Sequence, residues 1–116
     1  MPQADNRVGV IISDNCSSDE TSYIVEQYEE LYPKIRYVRN NNNIGTDSNI
    51  LKCMSLATGH LTMLISYNDI IVEGAVGKIL SFLEQHASTS LTYLYPIGFT
   101  DKCIDIQHCH EYHDHL

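Results

Sequence analysis

Residues 8–13, VGVIIS, are a short apolar run rich in β-branched side chains, bounded by the turn-like pair Asp14-Asn15. Such a run suits a strand buried on both faces of a sheet, since a strand with one wet face would alternate polar and apolar residues. Working outward, Ser17 and Glu20 stand three apart in a capping-box pattern, and Ile24, Val25, Tyr28 and Leu31 recur at helical spacing until Pro33. A second strand is expected over residues 35–39, IRYVR, ended by four asparagines at 40–43 and by Gly45. Thr46 or Asp47 then caps a helix bearing Ile50, Leu51, Met54 and Ala57, with Gly59 as its stop. Residues 61–65 read as a third strand and residues 91–95 as a fourth. Between them Ala75, Val76, Ile79, Leu80 and Leu83 make the apolar stripe of a third helix.

The order is βαβαβαβ. Strands that alternate with helices imply an α/β fold with a mainly parallel sheet and helices on both faces, because each crossover must pack back on the sheet. Open sheets of this kind bind ligands outside the carboxyl ends of their strands. Three polar clusters, at residues 14–19, 40–47 and 66–69, each follow a strand's carboxyl end and are therefore expected on one rim.

The chain has 116 residues and is 43% hydrophobic, enough for one domain with a sizeable core. Residues 1–100 are expected to form it. A net charge of −8 argues against a nucleic-acid backbone or an anionic membrane surface as a general partner. No apolar run approaches a bilayer span and the start is too polar for a signal peptide, so the expectation is a cytoplasmic protein, a peripheral place at the inner face of the membrane being the alternative left open. Cys16, Cys53, Cys103 and Cys109 are irregularly spaced and read as reduced thiols. Residues 101–116 form a His/Cys-rich tail, where four of the six histidines fall in the last nine residues. Cys103, His108, Cys109, His110, His113 and His115 lack the paired spacing of a zinc finger, so adventitious metal binding is expected rather than a structural site.

In the first cluster, Ser17, Ser18 and Asp19 suit either a helix cap or ligand contact. Asp14 is different, because a carboxylate at the end of a buried strand is not needed for capping and can accept hydrogen bonds from a base or ribose. The run at 40–43 reads as a tolerant loop, since asparagine accepts left-handed backbone geometry cheaply. Asn43 and Gly45 carry more meaning, because glycine permits close approach of backbone to a ligand. In the third cluster, an Asp beside an Asn carbonyl, Asn68-Asp69, is either a simple turn or suitable oxygen chemistry for Mg²⁺ or Mn²⁺ carrying a diphosphate.

VGVIISDNCSSDET at 8–21, followed by IRYVRNNNNIGTDSNILKCMSLATGHLTMLISYNDII at 35–71, resembles the nucleotide-binding half of family 2 glycosyltransferases of the GT-A, Rossmann-like fold. The similarity covers about residues 8 to 95 and lies in the ordered set of phrases, which are similar to those of abequosyltransferase-like bacterial enzymes. It implies transfer of a sugar from a nucleotide diphosphate sugar to a glycan or lipid-linked acceptor, as in polysaccharide biosynthesis. By resemblance Asp14, with Asn15 and Ser17 beside it, contacts the nucleobase, and the stretch with Asn43, Gly45 and Asn49 borders the nucleotide. Asn68 and Asp69 then fall at the motif that holds ribose and metal, Asp69 being the metal-side carboxylate.

Several departures bear on activity. Tyr67 replaces the leading Asp of that metal motif, and Ser48 stands where an Arg able to pair with phosphate is frequent. The family's first strand and helix, and its acceptor half, are not seen, so the expectation is a fragment with poor turnover. Glu73 suits a first-turn charge better than a catalytic base, and no catalytic residue is assigned. The alternative is a noncatalytic α/β binding or assembly module. In the family the first strand is central to the sheet, and without it exposed strand edges are expected to favour a homodimer.

Overall fold

The computed structural model describes residues 5–92 and 94. Its elements are β1 (Val10–Asp14), α1 (Thr21–Leu31), β2 (Ile35–Arg39), α2 (Thr46–Ser55) and α3 (Ala75–Gln85). The strands β1 and β2 pair in parallel, Val10 opposite Ile35 through Asp14 opposite Arg39. Helix α1 packs on β2 and α2 packs on β1. This is the α/β arrangement expected, a βαβ unit followed by a second helix, and it places the carboxyl ends of both strands side by side.

The helix starts depart from the sequence pattern. The box of Ser17 and Glu20 does not form: α1 begins at Thr21, and Asp19 Oδ1 accepts from the Thr21 amide at 3.0 Å and from its hydroxyl at 2.5 Å. Ser17 is held elsewhere, by Asp14, which removes it from the helix end. At α2 the cap is Gly45, not Thr46 or Asp47; its φ of 85° and ψ of 159° lie in a region open essentially to glycine. The same helix stops at Ser55, ahead of Gly59, as the bonds Leu56 N to Cys53 O and Ala57 N to Met54 O tighten its last turn. Glu73 is not in the first turn of α3, since Gly74 at φ 77° separates it from Ala75.

Residues 61–65 are not a strand. Among the described residues only β1 and β2 are paired, and an apolar run without a neighbouring backbone has no ladder to hold it extended. Leu61, Met63, Leu64 and Ile65 are accordingly exposed. Of the expected fourth strand, residues 91, 92 and 94 carry no strand, and 93 and 95 lie outside the described residues, as does the tail at 101–116.

The core is small where a sizeable one was expected. Among the described residues, Val25 of α1 and Ile35 of β2 are the buried hydrophobic side chains, while Leu31 and Leu51 remain 69% and 68% exposed. With two strands in the sheet among the described residues, the apolar stripes of the helices have little described surface to cover them. The chain divides into two compact units, Met1–Phe82 and Leu83–Leu116, the boundary falling within α3. In the second, the described residues hold the end of α3 and a turn in which the Thr89 amide donates to His86 O. No described helix is long and apolar enough to cross a membrane.

Candidate functional site

Asp14 ends β1 and is 4% exposed. Successive strand residues point to opposite faces, so Ser13 turns toward α2 while Asp14 shares a face with Tyr37 and Arg39 of β2. Its Oδ1 accepts from the Ser17 amide at 2.7 Å, and its Oδ2 accepts from the Tyr37 hydroxyl at 2.5 Å with Arg39 Nε at 3.3 Å. Arg39 also donates to the Ser17 carbonyl at 2.7 Å, which closes a ring of three residues around the buried carboxylate. Burial pushes the Asp14 carboxyl up, yet hydrogen bonding from Ser17 and Tyr37 and the Arg39 charge outweigh it and hold it below its ordinary value. Tyr37 answers in the opposite sense: burial first, then its bond to the Asp14 carboxylate, push its phenol up to about 12.

Beside this ring lies a lattice of side-chain amides. Asn15 Oδ1 accepts from Asn40 Nδ2 at 3.0 Å and from the Ile44 amide at 2.9 Å, while Asn15 Nδ2 donates to Asn43 Oδ1 at 2.9 Å. Asn43 Oδ1 also accepts from the Gly45 amide, which sets the turn leading into α2. On the other side Asn49 of α2 is clamped to Ser13: its Oδ1 accepts from the Ser13 hydroxyl and its Nδ2 donates to the Ser13 carbonyl. Cys16, at φ 69°, turns the chain after Asn15, and its thiol faces the Asn41 carbonyl at 3.6 Å. Asn43 is exposed, and among the described residues its Nδ2 has no protein acceptor.

Five of the sequence-derived residues (Asp14, Asn15, Ser17, Asn43 and Asn49) are thus joined with Gly45 at the carboxyl ends of the two strands. The third cluster closes on itself instead. The Asp69 amide donates to Ser66 O at 3.1 Å and its Oδ2 accepts from the Ser66 amide at 3.1 Å, a turn in which Asn68 and a fully exposed Tyr67 are the intervening residues. Among the described residues no three His, Cys, Asp or Glu side chains gather to hold a metal ion. Gly45 is required for its backbone angle and not for lack of room, since a Cβ there meets nothing within 4 Å.

Sequence reasoning missed Tyr37, Arg39, Asn40 and Lys52. The first two become visible only through register, which sets them on the face of Asp14. Asn40 was read as loop and is 4% exposed; Lys52 reaches its Oδ1 from α2 at 2.5 Å.

The family model described as glycosyl transferase family 2 matches residues 3–103. Abequosyltransferase RfbV of Salmonella typhimurium is 29% identical over 85 residues, 72% of this chain and 26% of that protein. An uncharacterized protein of Mycobacterium tuberculosis is 30% identical over 88 residues, 74% of this chain and 25% of its own length. An uncharacterized glycosyltransferase of Methanocaldococcus jannaschii is 20% identical over 93 residues, 80% of this chain and 32% of its own. The match therefore spans a quarter to a third of each relative. No solved structure matches the chain significantly.

Proposed function

The chain belongs to glycosyl transferase family 2, and from that membership we propose that the rim of Asp14, Asn15, Asn43, Gly45 and Asn49 is the donor-nucleotide side of a glycosyltransferase. The carrying observation is the bond of Asn15 to Asn43, which fuses the loops after both parallel strands where such sheets bind ligands. Asn43 Nδ2 is left to meet a ribose or phosphate oxygen. Asp14, shielded and held by Ser17, Tyr37 and Arg39, supports the base-binding side through the loop that it anchors.

Transfer of a sugar requires the leaving diphosphate to be neutralised, the sugar carbon to be held in line with an acceptor hydroxyl, and that hydroxyl to lose its proton. The donor set at Asn68 and Asp69, one carboxylate and one amide, fits a hard divalent cation held mainly by diphosphate oxygens and water rather than by a protein cage. Bound there, Mg²⁺ or Mn²⁺ would supply Lewis-acid neutralisation of the leaving group. The acceptor on this reading is a glycan or lipid-linked sugar. Titration calorimetry with UDP, CDP and GDP, with and without Mn²⁺, tests the proposal; no heat from any of them at millimolar concentration defeats it.

A second reading, a binding or assembly module of the same fold, draws on the exposed apolar side chains of Leu61, Leu64, Ile70 and Phe82. Surface of that kind favours association of copies of the chain.

A further inference from the structure

We propose that Asn40 is a positioning residue that preorganises the segment from Asn43 to Gly45 for ligand. Asn40 directly follows β2, and its backbone amide donates to the Asp14 carbonyl at 2.8 Å, continuing the sheet by one bond. Its side chain then spends its whole donor capacity inside the protein. One Nδ2 hydrogen goes to Asn15 Oδ1 at 3.0 Å and the other to Asn49 Oδ1 at 2.9 Å, while Oδ1 accepts from Lys52 Nζ at 2.5 Å. A single buried amide thereby joins the loop after β1, the end of β2 and two positions of α2.

The orientation of its neighbours is locked. Asn49 cannot turn its amide, because Ser13 holds both ends of it; Asn15 cannot, because Ile44 N–H needs its oxygen and Asn43 Oδ1 its nitrogen. Two oxygens therefore face Asn40, and only a side chain with two donors and one acceptor suits the place. Asp has the same shape but would oppose both oxygens, while still offering Lys52 an acceptor. The effect of that change passes through Asn15 to the Ile44 amide, and through Asn43 to Gly45. This inference rests on the donor-nucleotide reading for its consequence, but its geometry can be tested without ligand.

Amide exchange measured by NMR on Asn40→Asp should show Ile44 and Gly45 exchanging about tenfold faster, the equivalent of one hydrogen bond of ordinary net worth, while the β1–β2 ladder keeps its protection. UDP binding should weaken by about the same factor. Asn40→Ala, which removes the bridging amide without opposing the two oxygens and leaves Asn15 its own bonds to Ile44 and Asn43, should speed the same two amides, and it carries the test if Asn40→Asp does not fold. Unchanged exchange at Ile44 and Gly45 in either folded variant overturns the proposal. Should the wild-type chain bind no nucleotide, the donor reading fails alone, and the exchange result still decides the role of Asn40.

Discussion

The Tyr37 hydroxyl donates to Oδ2 of Asp14 at 2.5 Å from a position on β2 that lies opposite Ile12, two residues before Asp14 on β1. A diagonal pair of this kind ties the register of the sheet to the geometry of the rim. A slip of one residue would move Tyr37 to the opposite face and leave a buried carboxylate short of a donor.

Tyr37→Phe keeps the ring and removes that bond. The expected loss is about 1.5 to 3 kcal/mol, the range for hydrogen bonds to a charged group. Urea unfolding at neutral pH measures it, and a change below about 0.5 kcal/mol would show that Ser17 and Arg39 suffice for Asp14.

Stability should fall at both ends of the pH scale for related reasons. Asp14 is held below its ordinary carboxylate value when folded, so the stabilisation is complete above about 4 and is lost as pH falls through the lowered folded value. Tyr37 is raised to about 12, so its contribution is whole below about 10 and disappears as pH rises through the folded value. Unfolding free energy measured across pH in the wild type and in Asp14→Asn tests the acid limb, which should be flatter in the variant.

Nucleotide binding should separate the two acids. Asp14→Ala is expected to weaken UDP binding with or without Mn²⁺, because it loosens the loop that reaches Asn15 and Ser17. Asp69→Ala should remove only the part that depends on metal. Calorimetric titrations showing equal effects of the two variants would contradict the assigned roles.

Gly45→Ala isolates a backbone effect. Nothing lies within 4 Å of a Cβ at this position, so any loss comes from the φ of 85° and ψ of 159°. A cost of about 1 to 3 kcal/mol is expected from that conformation, read as a lower Tm in thermal melts. Wild-type stability in the variant would mean that the cap can relax to an ordinary conformation.

Self-association should rise with concentration, driven by the exposed apolar side chains that include Leu61, Met63, Leu64 and Ile65. Light scattering across a concentration series is the measurement. A monomer throughout, with Leu64→Asp leaving the profile unchanged, would set the assembly reading aside.

Periodicity alone identified the βαβ unit and the helix after it, the bounds of β2 and the position of α3, because an apolar run of strand length and a stripe at helical spacing are local signals. The meeting of the loop after Asp14 with the loop that holds Asn43, seen in the bond of Asn15 to Asn43, also followed, since it needs only two parallel strands with loops at their carboxyl ends. Register was not legible in that way. It took the pairing of Ile12 with Tyr37 to show that Tyr37 and Arg39 share the face of Asp14, and nothing in the run IRYVR distinguishes one face from the other. Residues 61–65 have a strand's composition but no strand in the described structure, for a ladder belongs to two segments and propensity to one. Asn40 shows the same limit for a polar side chain. Four asparagines in a row read alike as loop, yet Asn40 is buried because Asn15, Asn49 and Lys52, from both sides of it in the chain, supply the matching donors and acceptors.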